Sequence, residues 1–221
     1  MIPNSFNTRW LTIVLLMMAV PLTGVAQKKT KPKEEKKTRM ENVKEYAVIE
    51  TTMGTMEIEF YRADAPKTVE NFVKLAEKKY FDSVIFHRVS KGFVIQGGDP
   101  TGTGSGGKSI WGKEFDDELN PNTPSYKEGY KKGVVAMANR GPNTNTSQFF
   151  IMLRDNTGLP KNYTIFGKVV KGMDVVDAIG QVEITPAMGP TDGRPKVDVV
   201  MKKVTIRKEG EQKSQPQEEK K

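Results

Sequence analysis

Apolar residues alternate with polar ones early in the chain. Val48, then Met56, Ile58 and Phe60, sit at period two and predict a hairpin. Its strands are Tyr46 to Thr51 and Thr55 to Phe60, with the turn at Met53-Gly54. The period then changes. Val69, Phe72, Val73 and Ala76 fall at i, i+3, i+4 and i+7, which predicts a helix over 66–79 with one apolar face. Pro66 suits the first helical position, Asp64 stands just before it, and Lys67, Glu70, Lys74 and Lys78 face water. Strand-like segments recur at 84–89, 93–97, 134–138, 148–153, 165–170 and 197–206. A second helix over 173–179 is carried by Val175, Val176 and Ile179. Many short strands with two amphipathic helices predict a mostly β domain, a closed antiparallel β-barrel with helices plugging its ends. Pattern alone does not separate that barrel from an open α+β sheet.

The pattern fails at both ends of the chain. Hydrophobic residues make up 36% of the 221 residues, and the shortfall sits in the tails, so the middle still has a core to build. Residues 1–26 read as a secretory signal peptide: Arg9 gives the positive start, Trp10 to Val20 the apolar run, Pro21 the break. Gly24-Val25-Ala26 supplies small residues for cleavage after Ala26. The competing expectation is an uncleaved membrane anchor, although Pro21 and Gly24 interrupt the run. Residues 27–44 have almost no apolar side chains and form a basic flexible linker. The folded domain is expected over 45–208 and a disordered charged tail over 209–221. Net charge is +8, and residues 27–45 contribute eight Lys/Arg against four Asp/Glu, so part of the excess belongs to the arm. A basic arm could attract a polyanion. No aromatic residue interleaves its lysines, so no nucleic-acid partner is expected.

Composition also removes chemistry. There is no cysteine, which excludes disulfides, thiol catalysis and thiolate metal sites, and suits an oxidising compartment. His87 is the only histidine, and the carboxylates are scattered, so no metal site is expected. In its strand His87 alternates with Phe86 and Arg88 and faces away from Arg88, which makes it a structural histidine on the barrel's other face rather than a general base. Residues 99–113 contain five glycines, and a loop of that length inside a domain is usually functional or disordered. Gly102 to Ser109 satisfies the bare phosphate-loop pattern, but Ile110-Trp111-Gly112 opens no helix, so nucleotide binding is not expected.

Two stretches, VIFHRVSKGFVIQGGDPTGTGSGG at 84–107 and MANRGPNTNTSQFFI at 137–151, are able to bring one arginine and one glutamine together with several apolar side chains in a shallow pocket. With YTIFGKVVKGMDVVD at 163–177 they closely resemble the cyclophilin family of peptidyl-prolyl isomerases, in family order from Tyr46 to Arg207. The leader suggests a bacterial exported form. The resemblance implies an eight-stranded barrel capped by two helices, no cofactor, and proline-containing polypeptide clients. It gives Arg88 as the donor to the substrate, with Gln96 as its orienting partner and a second contact. It gives Phe93, Val94, Phe150 and Leu159 as walls of the prolyl pocket. The backbone of Asn139, beside Ala138, resembles the stretch that holds the residue before proline. Gly104 lies where a side chain would obstruct the groove, Gln148 braces the loop, and Tyr163 stands where many relatives carry histidine. Two departures follow: Val94 replaces a bulkier methionine, and Gly158 stands where relatives carry an aromatic that helps bind the inhibitor cyclosporin A.

That residue set matches the chemistry. Rotation about an X-Pro bond faces a barrier of about 18–20 kcal/mol and breaks no bond. A catalyst needs an apolar grip on the prolyl ring and a donor that favours the twisted amide over the planar one. Arginine is such a donor, charged at every working pH and rigid. The leading expectation is an exported isomerase, periplasmic and monomeric, without membrane insertion after signal cleavage. The rivals are a non-catalytic proline-binding or chaperone module and an envelope- or polyanion-binding protein that uses the basic arm.

Overall fold

A computed structural model describes residues 44–210. The signal sequence at 1–26, most of the linker at 27–44 and nearly all of the tail at 209–221 lie outside the described residues. The strands, in chain order, are β1 (Glu45–Thr51), β2 (Gly54–Phe60), β3 (Val84–Ile85), β4 (Arg88–Ser90), β5 (Val94–Gly97), β6 (Val134–Met137), β7 (Phe149–Met152), β8 (Ile165–Lys171), β9 (Ile184–Pro186), β10 (Asp192–Pro195) and β11 (Val200–Lys208). The helices are α1 (Pro66–Glu77), α2 (Pro124–Glu128) and α3 (Met173–Ile179). The short α2 was not expected from sequence.

The strands form one antiparallel sheet of eleven, ordered β3-β11-β1-β2-β8-β6-β7-β5-β4-β10-β9. This corrects the expected closed eight-stranded barrel. The sheet has two edges, β3 and β9, so the barrel is curled rather than closed. The segment expected as a single strand over 84–89 is also divided. Its first half, β3, pairs with β11, and its second half, β4, pairs with β5. Phe86 and His87 between them belong to neither strand. A single bent segment thus runs from the β3 edge to β4, which lies third from the β9 edge. Gly97 permits the seam, because a Cβ there would lie 3.1 Å from the Phe86 ring and 3.3 Å from the Ile85 carbonyl oxygen.

The main core fills the concave face. Val69, Phe72, Val73 and Ala76 of α1 are buried there, as their spacing predicts. Phe72 is the hub: its ring centroid lies 4.7 Å from Phe81 and 5.5 Å from both Phe60 and Phe149. Pro66 begins the helix, but the cap residue is Ala65 and it makes no side-chain cap bond. The first amides are satisfied from outside the helix. The Glu118 carboxylate accepts from the Lys67 N–H at 3.0 Å and the Thr68 N–H at 2.8 Å. Asp64 instead accepts from the Ser125 N–H at the start of α2.

Alternation along the strands splits the apolar residues between two faces. Ile95, Val135, Met137, Phe149 and Ile151 point into the main core. Val94, Val134, Ala136, Phe150 and Met152 form a second buried cluster on the opposite face, with Tyr130 and Ile165. Phe93, Ala138, Leu159 and Tyr163 pack on it partly exposed. The functional groove is the outer surface of this second cluster.

Candidate active site

Register assembles the site. Ala136 lies opposite Phe150, Phe150 opposite Gln96, and Gln96 opposite Arg88. Directly opposed residues share a face, so these four side chains form one row across β6, β7, β5 and β4, about 4.8 Å per step. The row runs from apolar to cationic. Beside it opens a groove of about 510 Å³. Of the residues expected at the site, Arg88, Gln96, Phe93, Val94, Gly104, Ala138, Asn139, Phe150, Leu159 and Tyr163 all line it. Gln148 does not, but it lies directly behind and belongs to the adjoining surface with Gln96 and Gly104.

The apolar end is a firm pocket on a packed base. Phe150 is buried, and its ring meets Tyr163 edge-on at 5.5 Å. Tyr130 fixes Tyr163 from below: its hydroxyl donates to the Tyr163 carbonyl and accepts from the Tyr163 N–H, both at 3.0 Å. Burial raises the pKa of the Tyr130 hydroxyl to about 12, so it keeps its proton and this clasp at any working pH. Val94 is 1% exposed, lies opposite Met152 and belongs to the second buried cluster. The Asn139 side chain donates to the Asn162 carbonyl at 2.9 Å, which anchors the chain whose backbone borders the groove.

The polar end is a relay of hydrogen bonds. Arg88 Nη1 donates to Gln96 Oε1 at 3.0 Å. Gln96 Nε2 donates to Gln148 Oε1 at 3.0 Å. Gln148 Nε2 in turn donates to the carbonyls of Gly104 at 3.0 Å and Gly106 at 2.8 Å. Each amide is thereby turned one way, and Gln96 presents its oxygen to the cation. The glycine-rich loop at the end of the relay folds around Asp99, which is fully buried. The Asp99 carboxylate accepts from the backbone N–H of Thr101, Thr103, Gly104 and Gly106 at 2.8, 3.2, 2.7 and 3.0 Å. Burial alone would raise its pKa. The bonds from Thr101, Gly106 and Gly104 outweigh burial and hold it at about 2. This carboxylate, not a phosphate, is the anion the loop amides bind. Gly104 itself has a φ of +82°, and a Cβ there would press on the His87 ring at 3.3 Å.

Two expectations need correction. His87 does not sit on the far face, because the strand breaks at Phe86–His87 and alternation no longer applies. His87 is buried beneath Gly104 and lines the groove. Neither ring nitrogen has a hydrogen-bonding partner among the described residues. Burial lowers its pKa; Asp99 opposes this, while Arg88 and Arg194 add to it. It is therefore a neutral imidazole. Arg88, moreover, is not a lone cation. Asp192 grips it side-on, accepting from Nε at 2.9 Å and from Nη2 at 2.6 Å. The Asp192 carboxyl is held below its usual range by the bond from Arg88, against the opposing effect of burial. Sequence reasoning also missed the β9–β10 hairpin, which adds Ala187, Met188, Gly193 and Arg194 to the groove. No local pattern connects positions 88 and 192.

Comparison with known proteins agrees with this geometry. The cyclophilin-type peptidyl-prolyl cis-trans isomerase family model matches residues 46–206. Peptidyl-prolyl cis-trans isomerase-like 1 of Neurospora crassa is 48% identical over 163 residues, covering 73% of this chain and 93% of that protein. The Mus musculus protein of the same name is 47% identical over 144 residues, covering 65% and 84%. A solved cyclophilin-type isomerase of Cryptosporidium parvum superposes with a TM-score of 0.66 at 36% identity, covering 75% of this chain and 98% of that one. The structure determined in the presence of the dipeptide Ala-Pro gives the same score and identity. With the family fold, the apolar pocket and the cation in one groove, this chain belongs to the cyclophilin-type peptidyl-prolyl cis-trans isomerases, and it is an isomerase.

Proposed function

We propose that this chain is an exported cyclophilin, of the bacterial exported form, that speeds X-Pro rotation in other exported polypeptides by a non-covalent mechanism centred on Arg88. The observation that carries the mechanism is the state of the guanidinium. Arginine has five N–H groups. Three are committed, two to Asp192 and one to Gln96, and among the described residues two remain, one on each terminal nitrogen. Arg88 thus brings two uncommitted N–H groups to a groove that Phe93, Phe150 and Leu159 also line. A prolyl ring seated on that wall would place its amide beside the cation. As the amide twists, its nitrogen pyramidalises and gains basicity, so the donor binds the twisted state more tightly than the planar one. The donor needs no proton transfer, consistent with a neutral His87.

Arg88→Ala should lower kcat/KM on a proline-containing peptide by roughly 30- to 1000-fold, the equivalent of about 2–4 kcal/mol of transition-state stabilisation, while the domain stays folded. Activity within threefold of the parent would refute the mechanism. The export reading rests on the leader at 1–26 and its small-residue end at Gly24-Val25-Ala26. Mass spectrometry of exported protein should find a new terminus at Gln27; intact Met1 in a membrane fraction would favour the anchor. Periplasmic residence, a monomeric state and the absence of a nucleic-acid partner belong to the same proposal.

A further inference from the structure

We propose that Asp192 is a positioning residue of the isomerase: through its side-on ion pair it sets the direction in which Arg88 presents its free N–H groups. The inference rests on Arg88 being the catalytic donor. An arginine on a short strand at a groove edge has several rotamers within reach, and each misdirects the guanidinium plane. Gln96 holds one N–H and leaves the plane free to swing about that bond. Asp192 removes the remaining freedom. Its two oxygens take Nε and Nη2 along one edge of the fork, and two parallel bonds fix a planar group in orientation as well as place.

The structure holds the carboxylate as firmly as it holds the arginine. Asp192 opens β10 and lies opposite Ser90 in the pairing with β4, two residues beyond Arg88. Its carbonyl accepts from the N–H of Ala187 at 2.9 Å and of Met188 at 3.2 Å, and its own N–H donates to the Gly189 carbonyl at 3.3 Å. The hairpin tip is therefore built on the Asp192 backbone. Lys91 ties the tip to the end of β4 by donating to the Thr191 carbonyl at 2.8 Å. Gly193 follows because β9 runs too close for a side chain; a Cβ there would lie 2.0 Å from the Thr185 carbonyl oxygen. Side-chain exposure is 26% for Arg88 and 13% for Asp192, so water competes weakly for the pair. The hairpin that looks like a rim decoration is the brace of the catalytic group.

A carboxylate beside a catalytic cation also carries a cost, since it weakens the field felt by the substrate. That cost is partial, because Asp192 takes only Nε–H and one N–H of Nη2, and two N–H groups of the guanidinium stay uncommitted among the described residues. Rate enhancement by a preorganised donor depends on the donor being in place before the amide twists.

The test is a double-mutant cycle in the full domain, with kcat, KM and thermal midpoint measured for each protein. Asp192→Ala should lower kcat about tenfold, the effect of one misplaced donor, with KM changed by less than about twofold. Asp192→Asn keeps one oxygen acceptor and should lose about threefold. Placed on Arg88→Ala, the Asp192→Ala change should cost nothing further, because a positioning residue has nothing left to position. The NMR signal of the Arg88 Nε–H should be protected from solvent exchange in the parent and lose that protection in Asp192→Ala. A role confined to holding the hairpin would lower the thermal midpoint and leave the kcat of the folded fraction and the Nε–H signal alone, and that outcome overturns the proposal. So does a rate that rises in Asp192→Ala, or a loss that persists in the Arg88→Ala background. If Arg88→Ala itself is active, the donor mechanism has failed; if it is inactive while Asp192→Ala is fully active, only the positioning role has failed.

Discussion

Replacing Asp99 with asparagine tests how the glycine-rich loop is held. One oxygen, Oδ2, accepts from the N–H of Thr103, Gly104 and Gly106, and the other, Oδ1, accepts from Thr101. An asparagine is isosteric, but it must turn an NH₂ group toward donors whichever way it sits. The cheaper orientation directs NH₂ at Thr101, removes the bonds that its amide and hydroxyl make to Oδ1, and reduces the three remaining bonds from charge-assisted to neutral. A donor left without its partner costs about 1–3 kcal/mol when buried and less where water reaches it, and charge-assisted bonds are roughly twice as strong as neutral ones. A loss of about 2–3 kcal/mol follows. The pKa gives an independent figure: a carboxyl at about 2 rather than 3.8 contributes about 2 kcal/mol at neutral pH. For a domain of this size the thermal midpoint should drop by about 5–10 °C. The sign of the pH effect is fixed too. A depressed carboxyl pKa gives stability that is complete above the unfolded value and disappears as pH falls toward 2. The gap between parent and Asp99→Asn should be constant from pH 8 to 5 and about half gone by pH 3. Denaturation at several pH values, followed by calorimetry or circular dichroism, measures it. A midpoint within 2 °C of the parent at pH 7, or a gap that does not narrow between pH 5 and 3, would refute this account of the loop.

His87, with its pKa lowered by burial, resists protonation in the fold, so stability should be complete above pH 6.5 and decline below it, by up to about 1.4 kcal/mol per pH unit. In His87→Gln that decline should be absent, and the rate of the parent should be flat from pH 6 to 9; a rate following an ionisation near 6.5 would make His87 a participant. Gly158→Trp should tighten cyclosporin inhibition by one to three orders of magnitude, the equivalent of burying an aromatic ring and adding an indole donor. The backbone has room for it, since a Cβ at Gly158 would meet only Asn156 Oδ1 at 3.6 Å and φ is not positive; no gain in the variant would mean that the loop presents this position away from the inhibitor.

The legible parts of the fold are the ones where one face meets the core. The α1 stripe of Val69, Phe72, Val73 and Ala76 and the β2 set of Met56, Ile58 and Phe60 commit to a face over several residues, and the structure keeps both. On β1 the core face is Ala47 and Ile49 instead, and Val48, expected with the β2 set, lies opposite Glu57 on the other face. The predicted strand over 84–89 shows what pattern cannot reveal. Its apolar content is the same whether it is one strand or two pairing with opposite ends of a sheet, so nothing local announces the break at Phe86–His87. The error over His87 follows directly, because alternation does not carry through a strand that breaks; the expectation of a closed barrel rests instead on the number of short strands and on the resemblance. The β9–β10 hairpin escaped for a different reason. ITPAMGPTDGRP is rich in turn formers, and its pairing of two or three residues leaves no period to detect.

The site was legible through family resemblance rather than through periodicity, and register explains why. Ala136, Phe150, Gln96 and Arg88 lie far apart in sequence, and each alone reads as an ordinary strand residue. Only the pairing of four strands brings them into one row. Resemblance fills that gap for groups that many relatives share, such as Arg88 and Gln96. It gave no help with the partner of Arg88, because Asp192 lies in a turn-rich segment 104 residues away, outside the motifs that carry the resemblance. Burial physics sets the requirement all the same: a half-buried cation costs desolvation unless a carboxylate or a set of acceptors answers it. Gln96 supplies one acceptor to a group with five donors. Charge balance around a groove-lining Arg88 therefore calls for a second partner on physical grounds alone, and what the sequence leaves open is only which carboxylate the fold brings to it.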